Sequence, residues 1–156
     1  MEHGISLDMA ERLTGCSRRT WWRRVQHGRV QRLPHADTRG RTLLPLRAVL
    51  PLVGIPIAEQ DRALILAADD GDPQALNELG QLFALGERWP VAEQLWLAAA
   101  RQGQACAMQH LAMFYLASRR DGPRALMWLA RAASAGHSVA RAQLRGLWPG
   151  LRMPSG

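Results

Sequence analysis

Three glycines set the frame of this chain. Gly71, Gly103 and Gly136 fall 32 and 33 residues apart, each inside a similar segment: AADDGDPQAL from Ala67, AARQGQACAM from Ala99 and AASAGHSVAR from Ala132. Four residues beyond each glycine stands an alanine (Ala75, Ala107, Ala140). Eight beyond stands a leucine (Leu79, Leu111, Leu144), and twelve beyond an aromatic (Phe83, Tyr115, Trp148). Steps of four mark one face of an α-helix. A register that recurs at this interval predicts stacked helical units, each presenting a small residue, a leucine and an aromatic to its neighbour.

A second helix is expected before each later glycine, over about 90–101 and 123–134. Both segments carry an alanine eleven residues before the glycine (Ala92, Ala125), a tryptophan nearby (Trp96, Trp128) and a closing alanine pair. The small residues let paired helices approach closely. Gly103 and Gly136 then fall where a helix ends in a left-handed residue. Pro90 and Pro123 suit the first turn, where no N–H bond is lost. Residues 61–70 and 139–148 read as half-units at the two ends.

The run Ala125-Leu-Met-Trp-Leu-Ala-Arg-Ala-Ala-Ser-Ala-Gly136 and the spacing Ala75, Leu79-Gly80, Phe83, Gly86 resemble Sel-one-like repeats, a branch of the tetratricopeptide-type α/α solenoids. The resemblance covers about residues 60–148. It implies protein binding rather than catalysis, by a partner or by a second copy in a homodimer. Trp89, Trp96 and Trp148 are the candidate contact residues, since tryptophan is enriched where binding energy concentrates; the alternative is that a tryptophan at helical spacing belongs to the core.

Charge separates the first third from the rest. All twenty basic residues are arginine. Residues 1–57 hold ten arginines against four carboxylates (Glu2, Asp8, Glu11, Asp37), a net of +6; residues 58–156 hold ten against nine, a net of +1. Such asymmetry points to a nucleic-acid-binding module joined to a neutral one.

Residues 5–14 predict a short helix with Ser6 as N-cap and Ile5, Met9, Ala10 and Leu13 inward. A tight turn through Gly15 and Cys16 leads to Ser17, a second N-cap. The next helix runs over about 18–27. At 100° per residue Trp21 and Val25 face inward, and Arg19, Arg23 and Gln26 lie opposite, with Thr20 and His27 beside them. Trp22 falls on the flank. Residues 29–33 and 41–44 predict two strands around a turn-rich loop at 34–40, a β-hairpin tipped by Arg39 and Arg41. A third helix is expected over 46–53, limited by Pro51, and a linker over 54–57.

Residues 5–53, with the core motif Leu7 to Gly28, resemble the winged helix-turn-helix of MerR-type regulators and phage excisionases. That resemblance implies that Ser17, Arg18, Arg19, Thr20 and Arg23 face double-stranded DNA, and that Arg39 and Arg41 on the wing touch phosphate. Arg24 departs from the pattern, which often has an apolar residue there, and the adjacent tryptophans are unusual; Trp22 is expected to pack on the wing or against sugar-phosphate, and Gln26 joins the expected DNA contacts. The chemistry suits the role: arginine offers a planar fork for guanine and a permanent charge for phosphate.

Other chemistry is not expected. Asp69, Asp70 and Asp72 lack the ligand spacing of a calcium loop. Asp72-Pro73 reads instead as a helix start, with the acid as N-cap and the proline at the first position. Cys106 and His110 are only two potential zinc ligands where three or four are needed. No nucleophile–base pair or phosphate loop stands out, so neither enzymatic activity, cofactor nor metal is expected. Two cysteines are too few for a disulfide scaffold, no apolar run reaches membrane-spanning length, and the first residues do not resemble a signal peptide, so the expected location is the cytoplasm. The expected organisation is mainly α: a winged helix-turn-helix at 1–56 with a small β-hairpin, an α/α repeat solenoid at 57–148, and a flexible tail at 149–156. The expected function is a DNA-binding transcriptional regulator. Its alternatives are an interaction adaptor and a low-specificity architectural DNA-binding protein.

Overall fold

The computed structural model describes residues 2–147. Within them the chain is mainly helical, with one small antiparallel pair of strands near its N-terminus. In order come β1 (Gly4–Ser6), α1 (Leu7–Thr14), α2 (Arg18–Gln26), β2 (Leu43–Pro45) and α3 (Leu46–Val49), which runs into a 3-10 turn (Leu50–Leu52). Then follow α4 (Glu59–Asp69), α5 (Pro73–Leu85), α6 (Trp89–Arg101), α7 (Ala105–Ala117), α8 (Gly122–Ser134) and α9 (Ser138–Leu147).

Helix starts follow local chemistry. The Ser6 hydroxyl accepts from the Met9 N–H and the Ser17 hydroxyl from the Thr20 N–H. Asp72, Gln104 and Asp121 cap α5, α7 and α8 in the same way, which satisfies an N–H that the helix itself cannot. The stops are equally local. Gly71, Gly103 and Gly136 take φ of 92°, 86° and 93°, a conformation that a Cβ penalises.

From α4 to α9 each helix packs chiefly on its sequence neighbours. The expected register appears in the burial: Ala75, Leu79 and Phe83 on α5, and Ala107, Leu111 and Tyr115 on α7, are all buried. Gly80 lets α5 and α6 close up. A Cβ there would stand 2.5 Å from the Trp96 indole nitrogen. Trp96 is 4% exposed, and its N–H donates to the Asn77 carbonyl at 3.3 Å. Of the two roles open to it, partner contact or core, the structure buries it, in the space that Gly80 leaves. Trp148 and the expected tail lie outside the described residues.

The N-terminal sheet differs from the expected hairpin. β2 pairs with β1, in the register Gly4↔Pro45, Ile5↔Leu44, Ser6↔Leu43, and 29–33 form no strand. Burial accompanies the choice: Ile5 and Leu44, opposite each other, are fully buried, and all three residues of β2 are buried. Residues 29–42 run as a loop that returns to β2, tied by one bond from the Leu33 N–H to the Leu43 carbonyl and anchored by buried Val30. The first helix accordingly starts at Leu7, not at residue 5. The third ends sooner than expected, as a single turn before Pro51.

The chain's only tyrosine reports on the α6–α7 contact. The Tyr115 hydroxyl donates to Glu93 at 2.6 Å. Burial, then that carboxylate, push the phenol from its ordinary 10.0 up to about 12, against a smaller downward pull from Arg124. Absorbance titration should therefore show the single phenolate forming near pH 12 in folded protein. The folded value lies above the unfolded one. The stabilisation is thus complete below pH 10 and is lost as pH rises towards 12. Glu93→Gln should move the midpoint partway back; phenolate formation at the ordinary value would show that the contact is absent.

Candidate nucleic-acid interface

Acidic partners sort the arginines of the first third into two groups. Arg47 pairs with Glu2, Arg18 with Asp8 and Glu11, and Arg41 with Asp37. All four carboxylates of that third are thereby engaged. Among the described residues no carboxylate lies within ion-pair distance of Arg19, Arg23, Arg24, Arg29 or Arg32. Apart from Arg12 on α1, the unpaired positive charge is thus left on α2 and on the loop that follows it.

Helix α2 is held from behind. Trp21 is fully buried and Val25 is half-buried against the core. Their positions turn Arg19, Arg23, Gln26 and His27 outward, and all four are exposed. Arg19, Trp22, Arg23 and Gln26 border one open concavity of about 800 Å³, with Trp22 half-buried on its wall. Helix α6 packs on α1, on the other helix of the pair.

The other expected DNA contacts have structural duties. Ser17 and Thr20 share a hydrogen bond at 3.0 Å while Ser17 caps the helix. Arg18 borders the same concavity, but its guanidinium is bound to the two carboxylates of α1. Arg39 and Arg41 do not form a free wing tip. The Arg41 Nη1 donates to the Asp69 carbonyl at 3.0 Å and to its carboxylate at 3.1 Å. The Arg39 Nη2 donates to the Asp70 carbonyl at 2.9 Å. The two arginines cap the C-terminus of α4, whose last carbonyls lack helical partners. Burial lowers Arg41's affinity for its proton, but hydrogen bonding to Asp37 and the charges of Asp69, Asp37 and Asp70 outweigh it, so its pKa is raised. Burial would raise the Asp37 pKa, but hydrogen bonds from Arg41 and Arg39 hold it below the ordinary carboxylate value.

Sequence reasoning missed two features here. Arg24 is not simply an exposed cation: its guanidinium lies 5.8 Å from the Trp21 ring centroid, and its Nε is buried without a hydrogen-bond partner. Arg29 returns beside α2, where its N–H donates to the Arg24 carbonyl at 2.9 Å. The excess of charge was readable; which charges stay unpaired depends on contacts between distant segments.

A second concavity lies among α5, α6 and α7. It is an apolar groove of about 440 Å³ lined by Leu85, Trp89, Trp96, Met113 and Phe114, with Gln81 and His110 at its edge. Trp89 is 38% exposed and stacks on Phe114 with centroids 5.8 Å apart. The His110 Nδ1 lies 2.9 Å from the Asn77 Oδ1. Burial, then the charge of His137, push the His110 pKa down, so the ring at the groove favours its neutral form. Cys106 is exposed, and the described residues contain no cluster of three potential metal ligands. No described helix is long and apolar enough to cross a membrane. Comparison of the chain with protein-family models, with curated proteins and with solved structures gives no match.

Proposed function

We propose that this chain binds double-stranded DNA through the outward face of α2 and acts as a transcriptional regulator. The observation that carries the reading is the carboxylate-free cluster of Arg19 and Arg23, beside Trp22 and Gln26, on an exposed helix face. A helix held this way can enter a major groove, with arginine forks reaching base edges and phosphates. Helices α1 and α2, joined at residues 15–17, resemble a helix-turn-helix, with the 29–42 loop in the position of a wing. Arg29 and Arg32 are the exposed cations there, because Arg39 and Arg41 are engaged with α4. Helices α4–α9 resemble a short α/α repeat array, and their apolar groove favours a second role on the same chain: docking a protein partner or a second copy at Trp89. A dimer would double the base pairs read.

An electrophoretic shift with a random-sequence duplex pool tests the reading. The wild type should retard the pool, and the retained fraction should be enriched in one sequence. Retention without enrichment would favour an architectural protein. No retardation at low salt would overturn DNA binding and leave an adaptor.

A further inference from the structure

Arg23 and His27 form a ridge along α2 with a hollow on each side. The outward one is the concavity of Arg19, Trp22 and Gln26. The other is small, about 50 Å³, and is lined by Thr20, Arg23, Arg24, His27 and Arg29. We infer that this second hollow is a socket for a single backbone phosphate of the bound duplex. The inference rests on the DNA-binding reading above and deepens it.

Three observations support it. The lining brings together three guanidinium groups, an imidazole and a hydroxyl, and no carboxylate. Among the described residues none of the three arginines has an acidic partner within ion-pair distance. Like charges gathered without a counterion repel, and a bound anion removes that repulsion. Arg24, pinned over Trp21, keeps a buried Nε donor without an acceptor. A buried donor of a charged group costs free energy until it is met. The hollow is the smaller of the two, on the scale of a compact anion.

One objection is the polarity of α2, whose C-terminal carbonyls repel anions. Here three of the last four carbonyls have donors. His27 N–H donates to the Arg23 carbonyl, Gly28 N–H to that of Val25, and the Arg29 and Val30 N–H groups to that of Arg24. Arg29, brought back by the turn at Gly28, adds a cation from outside the helix. The ridge then divides the work. Its outward side meets base edges, and its inner side fixes the strand by one phosphate, which positions the helix without reading sequence.

The test is a salt titration of the full chain with the random-sequence duplex pool, for wild type, Arg29→Ala and Arg29→Lys. Arg29 is exposed, so the variants should fold as the wild type does. Arg29→Ala should weaken binding about tenfold, equally for all sequences, and reduce the slope of log K against log [salt] by about 1. Arg29→Lys should restore most of the slope. Duplexes carrying single uncharged methylphosphonate linkages give an independent readout. One linkage should weaken the wild type and leave Arg29→Ala indifferent. If the wild type binds and Arg29→Ala keeps its slope and its sensitivity to every linkage, the socket is wrong and DNA binding stands. If the wild type binds no duplex, the DNA reading itself fails. Binding of inorganic phosphate without duplex would mark a free-anion site and overturn the assignment to DNA.

Discussion

Replacing Asp69 by alanine is expected to lower the free energy of unfolding by about 3 kcal/mol. Its side chain is only 7% exposed and joins two distant parts of the chain. It accepts from the Ser6 backbone N–H at 2.8 Å, from the Ser6 hydroxyl, and from Arg41 at 3.1 Å. Ser6 is also the N-cap of α1, and Arg41 caps the end of α4. Alanine would leave a buried hydroxyl and N–H without their acceptor and a partly buried guanidinium with one carboxylate fewer. The cost is mainly that of the orphaned groups, not the worth of an ion pair. Asp69→Asn, which keeps an acceptor of the same shape, should cost less. Denaturant unfolding measures both. A loss below about 0.5 kcal/mol, the scale of an ordinary surface change, would show that this junction does not hold the first third to α4.

Trp96→Ala should cost about 3–5 kcal/mol, the range for emptying a large aromatic site in a core. The ring fills the space over Gly80, contacts His110 at 5.3 Å and Phe114 at 6.4 Å between centroids, and satisfies the Asn77 carbonyl. Neighbouring helix backbones cannot collapse far into the vacancy, because α5 and α7 are each held by a further helix. Trp89→Ala is the contrast. That ring is partly in water already and should cost clearly less, while any effect on partner binding should appear there. Equal losses at the two positions would contradict this division between core and groove.

The two tryptophans show what a sequence of this kind reveals and what it hides. Both lie in one apolar stretch, and periodicity cannot say which faces the missing Cβ of Gly80. The helix boundaries from α4 to α9 were legible because their signals are local: an alanine pair, a glycine at positive φ, an N-cap. Burial of the expected alanine, leucine and aromatic positions on α5 and α7 follows from that spacing. The start of the chain was less legible. Gly4–Ser6 read as the lead-in to a helix, yet it pairs with residues about forty positions away. Nothing local announces such a partner.

The candidate interface divides in the same way. The outward placement of Arg19 and Arg23 follows from the inward placement of Trp21, which helical spacing gives. The fate of Arg39 and Arg41 depends on the carbonyls at the end of α4, far along the sequence. Arg18 lies near acids in sequence, at Asp8 and Glu11, and there a closer reading of charge pairs could have found the bond. Arg29 carries no local signal beyond its charge. Its place beside Arg24 comes from the turn that ends α2.

The most direct test of the account is a salt titration of duplex binding by wild type and by the Arg19→Ala/Arg23→Ala double variant. Both residues are exposed and carry no ion pair among the described residues, so the fold should survive their loss. The wild type should bind a random-sequence duplex with affinity that falls steeply as salt rises, because each phosphate contact releases counterions. The double variant should bind at least about 30-fold more weakly, at roughly 1–3 kcal/mol for each arginine, with a shallower slope. Equal affinity and slope in the two proteins would contradict the claim that the free arginines of α2 make this chain a reader of DNA.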